Sequence, residues 1–115
     1  MMKYTIQINQ LAIIQNELNI KGTTLDTWAL LDFLALCSAT HEKLGKNGEF
    51  WFWVNFNYIQ YALPLCNFNE QKIKKHLDLL EKIGLIDLST DNGRDDNKDS
   101  LFYKLNKDKM GDILC

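Results

Sequence analysis

The chain has 115 residues, of which 46% are apolar and 24% charged, and its 13 basic and 15 acidic side chains give a formal net charge of −2. This length favours one domain with its own core, and the composition is that of an ordinary soluble globular protein. The slight acidity argues against a globally basic nucleic-acid-binding protein, because nonspecific DNA affinity comes largely from Lys and Arg.

Cysteine usage and apolar runs favour a reduced, cytoplasmic setting. Cys37, Cys66 and Cys115 show no paired spacing of the kind that zinc sites or disulfide frameworks require. The N-terminus has no apolar run behind a basic start, and the longest apolar stretch, 28–37, has about half the length needed to cross a bilayer. We therefore expect a cytoplasmic protein with no membrane segment, metal, cofactor or small-molecule ligand.

The first elements predicted are a strand and a short helix. Residues 3–8 alternate polar and apolar side chains, as a strand does. Asn9 is a suitable N-cap for a helix over about 10–18, and Gly22 follows as a helix breaker. The large apolar residues of this helix are predicted to share one face: Leu11, Ile14 and Leu18.

A second helix is predicted over about 25–42, with Thr24 or Asp26 as its cap. It is apolar nearly all round, so it should be the central, most buried helix. Asp32 is the exception within it. Because a carboxylate must reach solvent or a partner, we place Asp32 on the exposed edge of the helix rather than in a catalytic role.

A strand and a short helix follow. Residues 45–48 read as a turn, and the aromatic, β-prone run after them predicts a strand over about 50–54. A short helix is expected over 55–63, and Pro64 should end it because the residue before a proline is pushed out of the helical region.

The helix over 70–83 is the clearest element of the sequence. Asn69 precedes it as an N-cap, and Gly84 stands where a left-handed C-terminal residue is wanted. His76 is expected to be a partly buried helix residue. The apolar stripe follows helical spacing and consists of Ile73, Leu77 and Leu80, widened by Leu79 and Ile83.

The C-terminal part predicts a β-hairpin and a tail. Residues 85–89 and 101–105 alternate like two paired strands, and the polar loop 90–99 joins them. Residues 106–115 resemble a frayed tail, or the start of a segment that docks on a partner. We therefore expect one domain over 1–105 and a tail over 106–115.

Two stretches carry a resemblance to a known family. DLLEKIGLIDL (78–88) resembles the junction between recognition helix and wing in winged-helix proteins. The longer stretch 51–86 resembles the N-terminal domains of phage and plasmid replication proteins of the replisome-organiser type, and INQLAIIQNEL (8–18) is similar to the same group. The resemblance covers most of 8–105. It implies a winged helix-turn-helix fold, mainly α with a small β-wing (α+β), and a DNA-binding module of replication or regulatory type.

On this reading the helix over 70–83 is the recognition helix for double-stranded DNA. A helical wheel places Gln71, Lys74, Lys75, Asp78 and Lys82 opposite the buried stripe. Glutamine can bond adenine bidentately, and lysines can neutralise phosphates. The predicted DNA-binding residues are Asn69, Gln71, Lys72, Lys74, Lys75, Lys82 and, on the wing, Arg94. The alternative for this face is an ordinary solvated helix surface.

The acidic wing supports a second hypothesis, a winged-helix protein-interaction or oligomerisation module. The loop carries Asp91, Asp95, Asp96 and Asp99 against only Arg94 and Lys98. In the aromatic strand, alternation puts Phe50, Phe52 and Val54 on one face and Trp51 and Trp53 on the other. Exposed tryptophans mark interfaces, so a homodimer or a replication or host protein is the partner expected there, unless other elements cover them. No phosphate loop or nucleophile motif is present, so we expect no enzyme activity.

Overall fold

The computed structural model of the protein describes residues 6–38, 42–44, 50–88 and 100–110. Helices pack against a small antiparallel sheet, so the architecture is α+β. The elements in chain order are α1 (Gln10–Gln15), α2 (Leu25–Ser38), β1 (Glu42–Leu44), β2 (Phe50–Asn55), α3 (Phe56–Ala62), a 3-10 turn (Pro64–Cys66), α4 (Glu70–Ile83), β3 (Ile86–Leu88), β4 (Ser100–Leu105) and α5 (Lys107–Met110).

The sheet has the strand order β1-β2-β4-β3, and all its pairs are antiparallel. The predicted hairpin is confirmed, with Ile86 opposite Leu105, and so is the predicted aromatic strand. Phe52 lies opposite Tyr103, so the hairpin is fastened to the aromatic strand through β4. Phe52 and Val54, which alternation places on the same face of that strand, are both buried.

Helix α2 runs through the centre of the molecule, as predicted. Thr24 precedes its first residue: the Thr24 carbonyl accepts the Trp28 N–H, and the Thr24 N–H donates to the Thr27 hydroxyl. Its core residues are buried on more than one side: Trp28, Ala29, Leu30, Leu31, Phe33, Leu34 and Cys37. The predicted extension to residue 42 is wrong, because the helix ends at Ser38 and residue 42 begins a strand. Asp32 is half-buried and accepts the Gln7 N–H, which ties the N-terminal segment to α2.

The N-terminal predictions need correction. Residues 6–8 form no strand, and 3–5 lie outside the described residues. Asn9 caps α1 as predicted, but the helix stops at Gln15. Two of the three residues of the predicted face are not buried, because Leu11 and Ile14 are 63% and 59% exposed whereas Ala12 and Ile13 are buried. Leu18, the third, is buried but lies beyond the end of the helix. In so short a helix both faces carry apolar residues, so packing decides which is covered.

In the middle of the chain, helix α3 begins and ends close to the predicted residues. The Asn55 side chain accepts from the Asn57 N–H at 2.7 Å and starts α3. Pro64 ends the helix after Ala62 and opens the 3-10 turn, and Asn67 then adopts a left-handed conformation with φ 51°. The predicted turn at 45–48 lies outside the described residues.

Part of the predicted tail is ordered structure. Residues 107–110 form α5, and Met110 is buried in the core. The Asn106 N–H donates to the Leu85 carbonyl, and the Lys109 ammonium donates to the Ile83 carbonyl at the end of α4. A frayed tail is therefore wrong for 107–110, and 111–115 lie outside the described residues.

Replacing Tyr103 by phenylalanine should cost about 0.5–1.5 kcal/mol of unfolding free energy. Tyr103 is fully buried in β4, and its hydroxyl donates to the Leu34 carbonyl of α2 at 2.7 Å. Chemical denaturation measures the loss, and Tyr61→Phe is the matched control because Tyr61 is 60% exposed. Equal stabilities for the two variants would show that this link between sheet and helix contributes nothing.

Candidate nucleic-acid interface on helix α4

Helix α4 is delimited by its own caps. The Asn69 side chain accepts from the Lys72 N–H at 2.7 Å, which satisfies a donor of the first turn. Gly84 is left-handed with φ 91°, and the Leu85 N–H returns to the Leu80 carbonyl. Both ends confirm the boundaries predicted from the sequence.

The inner side of α4 joins the core. Its buried residues are Ile73, His76, Leu77, Leu80 and Ile83. Leu79, which was predicted to widen this stripe, is only half-buried. The Leu79 side chain lies close to Gly22, in the loop before α2: a Cβ at position 22 would be 3.5 Å from it. Leu79 therefore packs against this loop at the edge of the exposed face.

The outer side of α4 is the face that the helical wheel predicted. Its exposed residues, together with Leu79, line one shallow depression: Gln71, Lys74, Lys75, Asp78 and Lys82. Three lysines against one aspartate give this face a local excess of two positive charges. The side chains that could contact phosphates therefore lie on one surface of α4. That they contact DNA stays a prediction.

The lysines of this face differ in what they already contact. The Lys74 ammonium lies 3.2 Å from Glu70, one turn earlier, and 5.9 Å from the centre of the Phe56 ring. Both partners of the ion pair are more than half exposed, so solvent and salt weaken it. Within the described part of the chain, neither Lys75 nor Lys82 has an ion-pair partner.

Lys72 and Asn69, also predicted to bind DNA, already make contacts with other residues of the chain. The Lys72 ammonium pairs with Asp26 of α2 at 2.8 Å, donates to the Cys66 carbonyl and lies 5.4 Å from the centre of the Phe68 ring. The Asn69 oxygen is occupied by the cap, so bidentate bonding of a base would cost that cap.

The Asp26 carboxylate has two side-chain partners. Burial raises the pKa of Asp26, but hydrogen bonds from Lys72 and from the Cys66 thiol, with the charge of Lys72, outweigh burial and hold that pKa below its usual range. Burial first, and the bond and charge of Asp26 next, raise the pKa of Cys66 to about 11. The thiol therefore stays protonated near neutral pH and can serve as a donor.

A second polar contact joins α4 to α2. His76 is buried, and its Nδ1 lies 2.7 Å from the Thr27 hydroxyl, which already accepts the Thr24 N–H. Burial lowers the pKa of His76; the Asp26 charge raises it, and the charges of Lys72 and Lys75 lower it further. A neutral imidazole accepting the hydroxyl proton satisfies both groups. The sequence suggested only a partly buried histidine.

Acidification below about pH 6.5, the ordinary pKa of histidine, should destabilise the protein through His76. Because folding lowers the pKa of His76, its contribution is full above that pH and is lost as the pH falls towards the lowered value. Unfolding free energies of the wild type and His76→Gln, measured down to about pH 5, should show a smaller loss in the variant. The Asp26 shift acts below about pH 4 in both proteins. Equal losses would show that His76 does not titrate in this range.

No protein-family model, curated protein or solved structure matches this chain. The function of this chain must therefore be inferred from the geometry of α4 and of the residues that hold it in place.

The structure describes no side chain for three of the predicted site residues. Arg94 belongs to the loop that is not described, and nothing is shown of the Trp51 and Trp53 side chains. Their proposed roles stay predictions. Residues 91–99 hold four of the 15 acids and two of the 13 bases, so the remainder of the chain is formally neutral. The acidity that argued against DNA binding is thus concentrated in this loop.

A second surface feature is an apolar groove that the sequence did not suggest. It lies between the N-terminal segment, the start of α2 and the 3-10 turn. Its most exposed apolar residues are Leu65, Leu25 and Ile6, which are 92%, 68% and 45% exposed. These three segments meet only in the tertiary structure, which is why the local sequence gave no signal.

The described residues contain neither a metal-binding cluster nor a membrane-spanning helix. No group of three His, Cys, Asp or Glu side chains in that part of the chain is placed to hold a metal ion. In the same residues, every helix is too short or too polar to span a membrane.

Proposed function

We propose that the chain is a winged helix-turn-helix module that binds double-stranded DNA through α4, of the type found in phage and plasmid replication proteins. The observation that carries the proposal is the exposed face of α4, where Lys74, Lys75 and Lys82 outnumber Asp78 on a helix whose opposite side is buried. A helix supported in this way can enter the major groove as one rigid unit.

The order of the elements supports the same proposal. After α1 and α2 come the short strand β1, the aromatic strand β2, the short helix α3, the long helix α4 and the hairpin of β3 and β4. Apart from β1, this is the order that the sequence resemblance implies for a winged helix. The hairpin is paired with β2 through β4 and contacts α4 through β3. In the proposed fold this hairpin corresponds to the wing.

The residues of the face divide into two roles. Gln71 is exposed in the first turn of α4, the part of a recognition helix that approaches base edges, and its amide can read adenine. Lys74, Lys75 and Lys82 bring positive charge to phosphates, which positions the helix without selecting a sequence. Asp78 opposes phosphate contact at the middle of the face, so the affinity should be modest.

Fluorescence anisotropy with labelled duplexes tests the proposal. The duplexes should include random sequences and the DNA upstream of the protein's own coding region, titrated between ~50 and ~200 mM salt. Three lysine–phosphate contacts predict a slope of log affinity against log salt of about −2 to −3. If no duplex binds at the lowest salt, DNA binding is contradicted and the protein-interaction alternative is favoured.

A further inference from the structure

We infer that Lys72 is a positioning residue for α4 and not a DNA ligand. This inference rests on the proposed function. It gives Lys72 a role different from the phosphate contact proposed for the other lysines of α4. Lys72 stands in the first turn of α4, Asp26 stands in the first turn of α2, and Cys66 ends the 3-10 turn between them in the chain. One ammonium group therefore joins three elements.

The contacts of Lys72 leave little of its ammonium for a phosphate. Of its three N–H donors, one faces Asp26 and one the Cys66 carbonyl, and the Phe68 ring lies beside it. Its side chain is 33% exposed, against 60% for Lys74. A phosphate contact would require Lys72 to give up this ion pair with Asp26 and its bond to the Cys66 carbonyl.

The Lys72–Asp26 contact lies beside a second contact between α4 and α2, that of His76 with Thr27. Lys72 and His76 are one turn apart on α4, and their partners Asp26 and Thr27 are adjacent on α2. The two links join the N-terminal half of α4 to the first turn of α2. They therefore fix the orientation in which Gln71, Lys74 and Lys75 are presented.

Replacing the Asp26 carboxylate by an uncharged amide of the same shape separates the two roles by the sign of its effect on DNA binding. If Lys72 positions α4, Asp26→Asn should weaken DNA binding by about twofold to fivefold, the range of a partly exposed ion pair. If Lys72 binds phosphate, Asp26→Asn removes a competing acid and should strengthen binding. The measurement is anisotropy with the duplexes used above, at one fixed salt concentration.

Variants at Lys72 give a second readout, the salt slope. Lys72→Met keeps the alkyl chain and should weaken binding without changing the slope, and the double variant with Asp26→Asn should lose no more than either single variant. Lys72→Arg should restore binding because a guanidinium can still pair with Asp26. A slope smaller by about 0.9 in Lys72→Met would instead identify a phosphate ligand and overturn the inference.

Hydrogen exchange keeps this test separate from the proposed function. The Ile73 N–H donates to the Asn69 carbonyl at 2.9 Å, so its exchange reports closure of the first turn of α4 without DNA. Exchange at Ile73 should be about twofold to fivefold faster in both Asp26→Asn and Lys72→Met. If the wild type binds no DNA, the proposed function fails, while unchanged exchange at Ile73 would overturn the positioning role by itself.

Discussion

Replacing Leu80 by alanine should lower the free energy of unfolding by ~2–5 kcal/mol, the range found for large-to-small changes in a core. Leu80 is fully buried on the inner side of α4, and it belongs to the same core cluster as Leu34 of α2 and Ile86 of β3. Its removal leaves a cavity where helix and sheet meet. Urea denaturation of the two proteins at neutral pH measures the loss.

Lys75→Ala is the matched control for that experiment. Lys75 lies on the outer side of the same helix and is exposed. Leucine, lysine and alanine all favour helices, so intrinsic helix propensity differs little between the two changes. Lys75→Ala should therefore change stability by no more than about 0.5 kcal/mol. Similar losses in both variants would mean that the two sides of α4 have been assigned wrongly.

Removing Lys74 and Lys75 together should weaken DNA binding by about 10- to 100-fold at ~0.1 M salt. Both side chains are exposed near the N-terminal end of the face that we propose to enter the groove. Each lost phosphate contact should reduce the salt slope by about 0.9. The double variant Lys74→Ala with Lys75→Ala should therefore have a slope closer to zero by roughly two. Anisotropy titrations at several salt concentrations measure both quantities.

The charge-conserving double variant, Lys74→Arg with Lys75→Arg, controls for changes in the helix itself. It retains both positive charges, so its salt slope should equal that of the wild type. The contact between Lys74 and Glu70 is exposed on both sides and should contribute little to folding. An alanine variant that bound as tightly as the wild type, with an unchanged slope, would move the DNA-binding surface away from this face of α4.

The sequence by itself determined the elements whose signals are local. Asn69, the apolar spacing from Ile73 to Ile83 and Gly84 define α4 within its own residues, because caps and helical periodicity act over three or four positions. For the same reason the exposed face of α4 was predictable: a helix with one apolar stripe has one polar side. The hairpin and the end of α3 before Pro64 were also predictable, since strand alternation and proline act on near neighbours.

Only the tertiary structure decided which of two suitable surfaces is buried and which distant groups meet. In α1 the choice fell on Ala12 and Ile13 rather than Leu11 and Ile14, because both faces of six residues are apolar and only the neighbouring core selects one. Met110 is buried in the core at the end of α5. The segment before it is short and polar, so no local pattern predicts this packing.

The same distinction applies within the candidate site. Lys72 and Lys75 cannot be distinguished from the sequence of α4, since both are lysines near its start. The fold brings Asp26 and the Cys66 carbonyl to Lys72, and it leaves Lys75 facing solvent. His76 likewise finds Thr27, which is 49 residues away in the chain. Such partners come from helix packing, and packing depends on contacts that no local pattern encodes.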